Sequence, residues 1–83
     1  MDSVNNRIKV KFQLQREPTD SEVKSWLRKT DDYNLQYQDR EFAAEKAAKE
    51  ILPGYREAVY KAEADTIDAL LGAAREKVDQ GKR

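Results

Sequence analysis

Cysteine and histidine are both absent from this chain of 83 residues, and the two gaps remove much of the chemistry a small protein can carry. Without cysteine there is no disulfide and no thiolate metal site. Without imidazole, acid–base work near neutral pH falls to carboxylates, lysines or tyrosines whose pKa values burial must shift strongly. Glycine occurs three times, at Gly54, Gly72 and Gly81, too sparsely for a phosphate-cradling loop or a dinucleotide fingerprint. No stretch approaches the ~20 consecutive apolar residues of a membrane span. The polar start Met1-Asp2-Ser3-Val4-Asn5-Asn6 lacks the basic-then-apolar order of a signal peptide. From these gaps we expect a single cytoplasmic domain over residues 1–83 with no cofactor, no metal and no catalytic residues: not an enzyme.

What is present is charge. Charged residues make up 39% of the chain and apolar residues another 39%, against about 25% charged in an average globular domain. So small a chain buries roughly 60–65% of the surface it exposes when unfolded, so the core must be thin. Net charge is zero but unevenly distributed. Residues 1–16 carry Arg7, Lys9, Lys11 and Arg16 against Asp2, a balance of +3. Residues 17–68 hold eight basic and thirteen acidic groups, and the last fifteen residues return to +2. An acidic middle of this kind can steer encounter with a charged partner.

Apolar periodicity supplies the expected elements. From Arg7 to Gln15, Ile8, Val10, Phe12 and Leu14 alternate with Arg7, Lys9, Lys11, Gln13 and Gln15, the period of a strand with one buried face. After Pro18, Thr19-Asp20-Ser21-Glu22 is a capping box, and Val23, Trp26 and Leu27 give a short helix ending near Thr30, with Trp26 in the core. Tyr33, Leu35 and Tyr37 alternate with Asn34, Gln36 and Gln38, which predicts a second short strand over 33–38. Asp39 caps a medium helix over 40–52 with Ala44, Ala47, Ala48, Ile51 and Leu52 on one side. Pro53-Gly54 stops it. A long helix over 55–80 carries Tyr60, Ala64, Ile67, Leu71, Ala74 and Val78 in a heptad seam suited to packing on a neighbouring helix or on a second copy. The expected fold is therefore α+β: short N-terminal strands in a β-α-β-like arrangement, then a medium and a long helix. The strand edge or the seam would join two copies in a homodimer.

Two functional expectations follow. The first is a non-enzymatic regulator (an inhibitor, adaptor or accessory subunit) that covers a surface of a larger protein; compact cysteine-free chains this rich in charge are common among phage-encoded inhibitors. Asp31, Asp32, Tyr33, Tyr37, Asp39 and Glu41 are its candidate contacts, acidic and aromatic side chains suited to a basic cleft. The second starts from the strand's polar row, where Arg7, Lys9 and Lys11 would stand about 7 Å apart ahead of Gln13, side chains that read base edges and phosphates. A basic–apolar strand, a helix, a turn and a second helix over residues 7–52 resembles the ribbon-helix-helix repressors and plasmid-partition adaptors. That resemblance implies a dimer whose paired strands lie in DNA, with Lys9, Lys11 and Gln13 touching bases.

Overall fold

A computed structural model describes residues 3–52, 54–55 and 66–80. Among these residues every regular element is a helix: α1 (Val4–Phe12), α2 (Asp20–Tyr37), α3 (Arg40–Ile51) and α4 (Ile67–Gln80). The α+β expectation is overturned.

The first correction concerns residues 7–15. Ser3 caps α1, its Oγ accepting from the Asn6 amide at 3.1 Å, and the helix ends at Gln13, whose φ of 52° places it in the left-handed region. Val4, Ile8 and Phe12 then form one row, with Ile8 and Phe12 fully buried. Val10, which a strand would have turned inward with them, is 54% exposed. A step of four residues fits both a helical face and strand alternation. Here the step of two breaks the tie in favour of the helix. Leu14 is buried as well, but from the loop beyond the cap, its amide bonded to the Lys9 carbonyl.

The second correction concerns residues 33–38. The capping box forms as the sequence predicts, with Glu22 N donating to Thr19 Oγ1 and Thr19 N donating to Glu22 Oε1. The helix it opens does not stop near Thr30 but continues through Tyr37, so Tyr33 and Tyr37 are helical neighbours one turn apart. Leu35, about 200° away from both around the helix, is 81% exposed.

Two residues, Gln38 and Asp39, link α2 to α3. Gln38 takes a left-handed conformation, and Asp39 caps α3 by accepting from Phe42 N at 3.2 Å. The tight link makes the helices antiparallel neighbours, and α2–α3 is the most extensive helix pair in the fold. Ala43, Ala44, Ala47 and Ala48 are fully buried, so α3 offers a floor without side chains beyond Cβ. Trp26 fills the space above it, fully buried, and donates Nε1–H to the Ala44 carbonyl at 3.0 Å. Phe12 meets the indole edge-on at 5.8 Å. Leu52 and, from α4, Ile67, Leu70, Leu71 and Ala74 complete the core.

That placement also settles what the C-terminal seam does. Ile67, Leu71 and Ala74 are buried within the chain, and Val78 packs partly against the same cluster. The described seam therefore faces this chain's own helices. Tyr60, Ala64 and the start of the expected long helix lie outside the described residues, as do Pro53 and the C-terminal Gly81; Tyr55 precedes α4 and is not helical.

Polar clasps tie the elements together. Arg16 grips Glu22 with both ends of its fork, at 2.9 and 3.2 Å. That pairing, helped by the Thr19 amide, holds the Glu22 carboxyl down at about 2, from an ordinary 4.5. A folded-state pKa below the unfolded one adds stability above pH 4.5 that is lost as pH falls towards 2. Because Arg16 is 54% exposed, solvent reduces the contribution to about 1 kcal/mol. Glu22→Gln should therefore cost about that much in urea melts at pH 7 and almost nothing at pH 2. A loss equal at both pH values would show the ion pair to be inert.

Gly72 gives a prediction of opposite sign. It lies inside α4, exposed, and a Cβ built there meets nothing within 4 Å. Gly72→Ala should add about 1 kcal/mol and raise the thermal midpoint by roughly 4–8 °C. An unchanged or lower midpoint in a calorimetric scan would contradict this.

Candidate functional site

The corner where α2 turns into α3 gathers most of the acidic and aromatic residues singled out from the sequence. Tyr33 and Tyr37 share a face of α2, with ring centroids 6.0 Å apart. Phe42, in the first turn of α3, meets Tyr37 edge-on at 5.0 Å. Edge-to-face pairs are worth about 0.5–1.5 kcal/mol beyond the area they bury, and such pairs ordinarily sit in cores. This one sits at the surface, with Tyr37 44% and Phe42 46% exposed.

Tyr33 anchors the inner end of the run. Its ring packs against the core, and its hydroxyl donates to the Glu50 carboxylate of α3 at 2.7 and 2.5 Å. Lys29 and Lys46 lie over the ring, 5.2 and 5.3 Å from its centroid. The Glu50 contact pushes the phenol's pKa up to about 12, so Tyr33 stays protonated across the physiological range. It is a fixed strut between α2 and α3, and Tyr37 and Phe42 are the rings left available beyond it.

The carboxylates of α2 and α3 near this corner are engaged unequally. Asp32 and Glu41 are exposed and take no ion pair among the described residues, and Asp39 adds the charge of its cap. Asp31, about 100° from Asp32 around α2, is drawn away to Arg75 of α4, which grips it with both guanidinium nitrogens. It belongs to a different place, a groove of about 290 Å³ lined by Lys24, Leu27, Arg28, Asp31, Arg75, Val78 and Asp79. Tyr33, Tyr37, Asp39 and Glu41 thus share the corner; Asp31 does not, and Asp32 lies about 100° around α2 from Tyr33.

Phe42 was not among the residues singled out from the sequence. A signal existed: on a helical wheel it lies opposite the Ala44, Ala47 and Ala48 face, so a helix buried on its alanines must expose it. A second groove, of about 410 Å³, opens from Phe42 along α3 past Glu45, Lys46 and Lys49 to Tyr55.

The alternative contact set disperses. With residues 4–12 helical, Arg7 and Lys11 stand one turn apart on one side of α1 while Lys9 lies about 200° from each, and Gln13 lies beyond the helix in the cap. The four side chains no longer form a single row, and the ribbon that the family resemblance implied has no strand to build it among the described residues. Among the described residues no three of His, Cys, Asp and Glu converge as metal ligands, and no helix is long and apolar enough to cross a membrane. No family model matches this chain, and neither a curated protein nor a solved structure matches it.

Proposed function

We propose that this chain is a small non-enzymatic binding protein that covers a surface of a larger protein, using the α2–α3 corner as its contact. The observation that carries this reading is the half-exposed Tyr37–Phe42 pair. Aromatic rings held rigidly at a surface lose little entropy on docking and are enriched among residues that dominate binding energy. Rigidity here comes from a two-residue link with a cap at each end and from the Tyr33–Glu50 strut. Asp39 and Glu41 beside the rings favour a basic partner surface with an apolar recess, and speed the encounter. A chain without imidazole or thiol fits a role of contact and not of turnover.

The test is capture from extracts of the source cell on the immobilised protein. One dominant protein, in about 1:1 amount, should be retained and should elute with salt. Tyr37→Ser with Phe42→Ser should weaken its binding by at least about tenfold while helix content stays unchanged. Capture of nothing, or equal capture by the double variant, would remove the corner from consideration.

A further inference from the structure

We infer that the outer face of α3 is complementary to itself and joins two copies of this chain about a two-fold axis near Glu45. An interface of this symmetry places the same patch on both sides, so the patch must match its own reversed image. Along α3 the charges are ordered for that. Glu41 stands in the first turn, Lys46 and Lys49 in the second half, and Glu41 and Lys49 take no ion pair among the described residues. Glu41, Glu45 and Lys49 form one i, i+4 ridge. Two antiparallel copies of α3 bring Glu41 to the partner's Lys49, and Lys49 to the partner's Glu41. The two ends lie about 12 Å apart along the helix, which puts the axis midway, at Glu45. Glu45 itself already interacts within its own chain.

Shape follows the same symmetry. Phe42, 46% exposed, stands to one side of the axis as a knob. The groove of about 410 Å³ that runs past Lys46 and Lys49 to Tyr55 extends to the other side as its hole. Reversal lays each Phe42 along the lysine stems of the other copy, whose methylenes cover apolar surface, while the Lys49 ammonium reaches the opposing Glu41 and Lys46 keeps its own Glu50. The seam of α4 plays no part: Ile67, Leu71 and Ala74 are already buried in their own chain.

The dimer uses Glu41 and Phe42 of the proposed partner contact, so the two occupants exclude each other on that face; the inference is tested on the purified full chain alone, so either can fail without the other. Sedimentation velocity over a wide concentration range at low salt should show a reversible monomer–dimer equilibrium. Glu41→Lys and Lys49→Glu should each weaken it by about tenfold, and the two together should restore it to within about threefold of the native chain. Phe42→Ser should leave a monomer with native helix content, since Phe42 lies outside the buried cluster. A native chain monomeric throughout overturns the inference. So does a dimer indifferent to Phe42→Ser, or one that the double exchange fails to restore.

Discussion

Trp26→Ala lowers the stability of this protein by about 3–5 kcal/mol, the largest loss expected of any single truncation. Stability at roughly 0.05–0.15 kcal/mol per residue leaves so small a domain little reserve against that. The indole is the largest of the fully buried side chains. It fills the space that four alanines of α3 leave open, so alanine at 26 would set small residues against small residues. The cavity cannot close without α2 and α3 shifting against each other, and the Tyr33–Glu50 bond and the Gln38–Asp39 link tie them at their present register. Trp26→Phe separates size from hydrogen bonding. It keeps a ring beside Phe12 and loses only the bond to the Ala44 carbonyl, an oxygen that still accepts within its own helix. That variant should cost about 1–2 kcal/mol. Far-ultraviolet circular dichroism during urea titration measures both. If alanine and phenylalanine cost the same, the hydrogen bond and not the volume would be what holds the helix pair.

Much of this packing was legible in the sequence, and the two segments misread as strands share one cause. Thr19 and Glu22 announce a helix start, Asp39 another, and Ala44, Ala47 and Ala48 mark a buried face; each is local chemistry that needs no knowledge of neighbours. Ile8 with Phe12, and Tyr33 with Tyr37, are spaced by four, which is one helical turn and also two strand repeats. Val10 and Leu35 extended both rows to a strict alternation, and an apolar residue at a helix surface is what made the pattern ambiguous. Ser3 was the discriminating signal at residues 7–15, because a serine cap ahead of Val4 satisfies a helix and does nothing for a strand. The seam of α4 was legible as a stripe, and its partner was left open. Steps of four and three specify that a helix has an apolar stripe but not whether α2 and α3 or a second copy will cover it. The corner was half legible for the same reason: Tyr33 and Tyr37 are found by residue type, while Phe42 becomes visible only once α3 has a buried side.

Asn5→Asp should cost about 3 kcal/mol near neutral pH, more than Asn5→Ala, although it changes one atom and preserves the side chain's shape. Asn5 is 8% exposed and sits where α1, the start of α2 and α4 converge. Its Nδ2 donates to the Pro18 carbonyl at 2.8 Å and to the Asp20 carboxylate at 3.0 Å, and its Oδ1 accepts from Lys77. Lys77 also pairs with Asp20 at 3.0 Å, and the Asn5 bond and then Lys77 hold the Asp20 carboxyl below its ordinary range. Two acceptors on one side and an ammonium on the other admit only the amide's donor-and-acceptor pattern. Alanine would leave the Pro18 carbonyl without this donor while Lys77 and Asp20 still meet, a loss of about 1–3 kcal/mol. A carboxylate there places oxygen against oxygen at Pro18 and charge against charge at Asp20, with a stronger bond to Lys77 as the only offset. The introduced group is buried, so the repulsion outweighs the single gain. Acid reverses the order. Once both carboxyls are protonated the introduced group can donate again, so the excess cost over alanine should vanish between pH 5 and pH 2. Urea melts of the two variants across that range test it: a gap that persists into acid would mean that the loss is steric, and that the amide's polarity is not what locks α1 to the rest of the fold.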